Sequence, residues 1–135
     1  MILAWILISS VLGSQLTYFL VHKKHLTTVR ASAAPALIFS LVVSSLPIPF
    51  AAPLRAGFLG ATFVGMTDKS RLGWKRVFAA SVIYGLVFYF LLPLVDGFGG
   101  GLGAAAFASC GFIFFLDKVF KKYFRNLFLR AYKRL

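Results

Sequence analysis

Residues 56–67 read AGFLGATFVGMT, and residues 68–76 read DKSRLGWKR. How this stretch is read decides the fold. Twelve uncharged residues run straight into four cations, Lys69, Arg71, Lys75 and Arg76. Extended back to Pro53, the apolar part has about 15 residues and reaches roughly 22 Å as a helix, short of the ~20 residues that usually cross a bilayer core. It is either a short crossing that begins below the outer interface or includes Arg55, or a re-entrant hairpin that leaves the cations outside. Cytoplasmic loops of membrane proteins are enriched in Lys and Arg. That rule favours the crossing.

The rest of the chain repeats the pattern. Fourteen of the fifteen Lys and Arg residues fall in three groups: Lys23, Lys24 and Arg30; Lys69 to Arg76; and seven residues from Lys118 to Arg134. Only Arg55 stands apart. Between the groups lie long uncharged runs: 21 residues from Met1 to Val21, 24 from Ala31 to Leu54, 19 from Val77 to Val95 and 20 from Gly97 to Leu116. If every basic group is cytoplasmic, the helices alternate in direction, the N-terminus lies outside and the C-terminus inside. The cell (inner) membrane is the expected location.

Composition agrees. Of 135 residues 60% are apolar, and the mean hydropathy is +0.88, well beyond what a water-soluble domain of this size carries. A net charge of +12 would ordinarily raise nucleic-acid binding. Here the charge sits at the ends of apolar spans, so anionic lipid headgroups are the expected partner and nucleic acid is not. The run from Met1 lacks a positive n-region and a cleavage pattern, and is read as a retained helix rather than a signal peptide.

The expected fold class is therefore an all-α, polytopic integral membrane helical bundle. It has about five transmembrane helices plus a C-terminal amphipathic interfacial helix. Residues 1–22 form the first helix, 31–67 and 77–116 two hairpins, and 117–135 the basic interfacial helix. Pro47, Pro49 and Pro53 end the regular helix of the first hairpin near Leu46, because proline lacks a donor and clashes with the preceding turn.

The hairpins look like an internal repeat. Leu46-Pro47 matches Leu92-Pro93, Gly57 to Ala61 matches Gly100 to Ala104, and each return segment ends in Asp-Lys, at Asp68-Lys69 and Asp117-Lys118. Both return segments carry small residues at helical spacing: Gly57, Ala61 and Gly65 in one, and Gly97, Gly101, Ala105 and Ser109 in the other, with Gly100, Ala104 and Ala108 alongside. Four-residue spacing keeps these on one face, where two backbones can approach closely.

Functional candidates are few. Arg55 and Asp96 are the only charges expected on the outer side, each in an irregular Pro- or Gly-rich stretch, and form the candidate polar site. His22 and His25 read as solvated interfacial residues. They lack the further ligands that a metal site needs, and the single Cys110 adds none. Tyr84 and Tyr89 are expected to hydrogen-bond between helices. Asp68 and Asp117 are expected to pair with neighbouring lysines.

In the tail, Val119, Phe120, Tyr123 and Phe124 fall on one helical face. Lys118, Lys121, Lys122, Arg125 and Lys133 fall on the other, as expected of a helix that binds lipid headgroups. The three acids, the absence of Glu and the lack of any catalytic grouping point away from an enzyme, with a lipid-modifying membrane enzyme built from loop residues as the one enzymatic alternative, and no cofactor is implied. The leading expectation is a homo-oligomeric transporter or channel protomer for a small solute or ion. The alternative is a non-catalytic accessory or assembly subunit of a larger membrane complex.

Overall fold

The computed structural model of the chain describes residues 1–94 and 100–132, apart from the side chains of Leu94 and of residues 126–132. These residues form five α-helices and one 3-10 turn, joined by short loops. Helix α1 is Ile2–Lys23, α2 Thr28–Ser44, α3 Ala51–Gly65, α4 Trp74–Leu91 and α5 Gly101–Tyr132, with the turn at Leu92–Leu94. Three of them, α1, α4 and the Gly101–Arg125 part of α5, are long and apolar enough to cross a membrane, and α2 is a shorter apolar helix. Five spans were expected; three meet the length.

Proline explains the boundaries. Helix α2 stops at Ser44, and the Ser45 N–H reaches back to the carbonyls of Leu41 and Val42 before Pro47 and Pro49. Pro53, expected to act as a breaker, lies instead in the first turn of α3. There its missing N–H would have had no intrahelical partner anyway. Helix α3 thus begins at Ala51 and includes Arg55. Pro35 lies inside α2, which continues past it.

The tail also differs from expectation. Helix α5 runs unbroken through Asp117 and Lys118, so the segment expected as a separate interfacial helix continues α5 over the described residues. No proline or glycine follows Gly111 to interrupt it. Residues 118–125 are all exposed, so this part of α5 runs clear of the bundle.

Helix α3 is the centre. It packs against α1, α2, α4 and α5, whereas α2 rests mainly on α1 and α3, and α5 mainly on α3 and α4. Near contacts fix the directions. Gly13 faces Phe58 and Ala61, and Gly65 faces Ser14 and Thr17, so α1 and α3 run parallel. Gly60 faces Tyr84 and Gly57 faces Phe88, so α4 runs against them. Leu102 lies by Gly60 and Cys110 by Thr67, which sets α5 parallel to α3. The shortest apolar segment is therefore the most enclosed helix.

The bundle is polar and small within, and greasy without. Helix α1 buries Ser9, Ser10, Gly13, Ser14 and Thr17 while Trp5, Ile8, Leu12, Leu16 and Phe19 face outward. Lipid tails solvate Leu as well as a core does, so helix association there rests on close packing of small residues rather than on apolar burial.

Candidate functional site

The interior is closed by glycine. A Cβ on Gly65 would collide with the Ser14 carbonyl, and one on Gly60 with the Tyr84 hydroxyl. The hydroxyls of this interior mostly bond within their own helices. Ser9 donates to the Ile6 carbonyl (2.9 Å), Ser14 to Val11 (3.0 Å), Thr62 to Leu59 (2.6 Å) and Ser81 to Phe78 (2.7 Å). Such bonds satisfy a hydroxyl without linking two helices. Among the described residues, the buried oxygens of Ser10, Thr17 and Tyr84 have no hydrogen-bond partner. The expected interhelical bond of Tyr84 is thus not formed: its ring fills the space over Gly60, away from any acceptor. Tyr89 lies on the outside, 37% exposed.

Polar contacts converge at one end of the bundle, where the C-terminal end of α1, the 66–73 loop, the start of α4 and the middle of α5 meet. His22 Nε2 lies 3.2 Å from the Thr67 carbonyl oxygen, to which the Nε2–H tautomer donates, and its ring meets Tyr18 edge-on at 4.3 Å. Lys69 Nζ donates to the His22 carbonyl at 3.1 Å. Tyr18 donates to the Leu72 carbonyl (3.4 Å) and Gln15 to that of Trp74 (3.3 Å). His22, expected to be merely solvated, is therefore a tie between α1 and the loop after α3. His25 is exposed and takes a positive φ of 53° just after α1 ends.

The acids at this end behave differently from one another. Asp117 pairs across helices with Arg76 (2.8 Å) and along its own helix with Lys121 (3.1 Å), not with the adjacent Lys118. Asp68 makes no ion pair among the described residues. Its Oδ1 accepts the Ser70 N–H at 3.1 Å, and this bond, then the Ser70 hydroxyl, with lesser help from His22 and Arg71, holds the carboxyl below the usual carboxylate range. The two Asp-Lys pairs that matched in sequence thus sit in a loop and in mid-helix.

Between the 66–73 loop and α5 lies a groove of about 570 Å³. Asp68 and Arg71 stand on its loop side, and Phe107, Cys110, Gly111 and Phe114 form the α5 wall. Cys110 Sγ is 3.5 Å from Thr67 Oγ1. Lys118 Nζ lies 5.2 Å from the centre of the Phe114 ring, within cation–π range.

The other candidates distribute as follows. Gly57, Ala61 and Gly65 are buried in α3, and Ala105 and Ser109 are buried in α5 with Gly101 half-buried. Gly100, Ala104 and Ala108 face outward, and no atom of the described residues lies within 4 Å of a Cβ built on Gly100, Gly103 or Gly111. At the opposite end from the basic loops, half-buried Arg55 donates from Nη1 to Ser44 Oγ at 2.8 Å. Its proposed partner Asp96 lies outside the described residues, as do Gly97 and Lys133. Lys118, Lys121, Lys122 and Arg125 are exposed on α5.

The small polar face of α1 was missed, although Ser10, Gly13, Ser14 and Thr17 carry the same three- and four-residue spacing as the stripe in α3. No family model matches the chain, and neither a curated protein nor a solved structure is similar to it.

Proposed function

We propose that this is a five-span membrane protein with its N-terminus outside and its C-terminus in the cytoplasm, acting as one protomer of a homo-oligomer that passes a small solute or ion. Support for the topology comes from the clustering of Lys23, Lys69, Arg71, Arg76 and Lys121 at one end of helices that alternate in direction. Helix α3 spans only ~22 Å at 1.5 Å per residue. Four neighbouring helices cover it, so its ends can meet polar groups of the protein rather than lipid tails.

The observation that carries the oligomer is the outward small-residue face formed by Ala104 and Ala108 of α5 with Gly100 just before it, which none of the described residues covers. The protomer interior is filled at Gly57, Gly60 and Gly65, so the path runs between protomers. Arg55, with Asp96, sets its selectivity at the outer end. The basic and aromatic faces of 118–125 hold that segment at the cytoplasmic headgroups and fix its depth.

A second reading is an accessory subunit whose α5 face binds a helix of another protein. It is favoured by the scarcity of charge inside the bundle. Reconstitution of the purified full-length chain separates the two. A lone homo-oligomer that conducts or accumulates solute in liposomes, and loses that activity in Arg55→Lys with expression intact, is the expected outcome. Co-purification with unrelated subunits at fixed stoichiometry, and no flux alone, overturns it. Impermeant amine labelling of sealed cells is expected to leave Lys23 and Lys69 unreacted; reaction at either reverses the topology.

A further inference from the structure

We infer that the groove between the 66–73 loop and α5 holds one glycerophospholipid with an ethanolamine headgroup, its phosphate on Arg71 and its ammonium on Asp68. The inference rests on the membrane reading above, which puts this end of the bundle among headgroups.

The wall of the groove suits an acyl chain. Phe107, Gly111 and Phe114 cover two turns of α5, and Gly111 leaves a notch between two rings because nothing stands within 4 Å of where its side chain would be. The mouth suits a dipole. Asp68 and Arg71 stand one turn apart, joined through the bond from the Arg71 N–H to the Asp68 carbonyl (3.0 Å). Among the described residues the ion pairs are Arg76–Asp117 and Lys121–Asp117. Asp68 and Arg71 are therefore two opposite charges on one rim, neither consumed by the other.

Each charge has a matching group in phosphoethanolamine. A guanidinium donates two parallel N–H bonds to phosphate oxygens. An ionised carboxylate accepts from a primary ammonium but finds no donor on a quaternary choline. A glycerol headgroup offers the same phosphate to Arg71 but only uncharged hydroxyls to Asp68, weaker partners for a carboxylate than an ammonium. Lys118, over the Phe114 ring, adds a further cation beside that wall of the groove.

The test uses the full-length chain, delipidated in detergent and offered phosphatidylethanolamine, phosphatidylcholine or phosphatidylglycerol at equal concentration, with bound lipid counted by native mass spectrometry. One ethanolamine lipid per protomer should be retained, about tenfold over the other two, as one charge-assisted bond provides. Asp68→Asn should remove the preference over choline, and Arg71→Gln should weaken all three. Both positions are exposed loop sites, so folding is checked simply by elution profile.

A readout without substitution uses the single Cys110: saturating ethanolamine lipid should slow its reaction with an apolar maleimide. Equal retention of the three lipids, a glycerol preference, an unchanged preference in Asp68→Asn or an unprotected Cys110 each overturn the site. Binding in micelles does not depend on sidedness. Failure here with the labelling result intact therefore removes the groove alone, and reaction of Lys23 in sealed cells removes the topology alone.

Discussion

Helices α3 and α5 carry the same signature, small residues repeated every four positions, and meet opposite fates. In α3 each of Gly57, Gly60 and Gly65 is closed over by another helix, through Phe88, Tyr84 and Ser14 respectively. In α5 one stripe, Ala105 and Ser109, is buried, while Ala104 and Ala108, with Gly100 just before the helix, face outward beside Gly103 and Gly111. The difference is one of place. Helix α3 has four neighbours and α5 essentially two. Small-residue spacing licenses close approach of a helix to something; it does not say to what.

The sharpest break of that comparison is a bulky residue on each helix. Gly65→Leu should cost about 3 kcal/mol or more, because the new side chain drives into the Ser14 backbone, which cannot rotate away. Thermal unfolding in detergent, followed by intrinsic fluorescence, reads it. If Gly65→Leu proves no worse than Gly103→Leu, the distinction between the two helices is lost.

Tyr84→Phe should raise stability by about 1 kcal/mol, since it removes a buried hydroxyl that has no partner over Gly60. A loss of that size would mean the hydroxyl is bonded after all. On the α5 side, Asp117→Asn should cost only ~0.5 kcal/mol, because the Arg76 pair is partly exposed and screened. The cost should shrink further in high salt.

Smallest of all in stability is Gly103→Leu, within about 0.5 kcal/mol of the unaltered chain. Its effect should appear instead in assembly, as a lower oligomer fraction by light scattering in detergent. A cysteine at Ala108 in a Cys110→Ser background should cross-link between protomers. Absence of any cross-link would leave that face to lipid or to another protein.

Several of these features were readable before folding. Charges must reach water or headgroups, so the grouping of Lys23, Lys69 and Lys118 near one end of the bundle follows from their spacing alone. Proline's missing donor likewise foretold an end of α2 near Leu46, and the helix stops two residues earlier, at Ser44. The hydroxyl face of α1 was equally present in the spacing, but a long apolar run hides it: Ser and Gly count there as mild interruptions. The Arg76–Asp117 pair was not readable, because it joins residues 41 positions apart through the antiparallel packing of α4 and α5. Nor was the Tyr84 orphan, which depends on what happens to lie opposite.

Order along the chain thus determined that the apolar segments are helical, that α2 ends before Pro47 and which ends carry charge, for all of these depend on neighbours in sequence and on solvent. Only the folded bundle decided that the weakest segment, α3, is the central one, that α1 buries its serines and that α5 keeps a flank bare of the other described residues. Hydropathy records how a segment partitions between water and lipid. It holds no record of which helix surface another helix will cover, and that choice is made by fit between backbones.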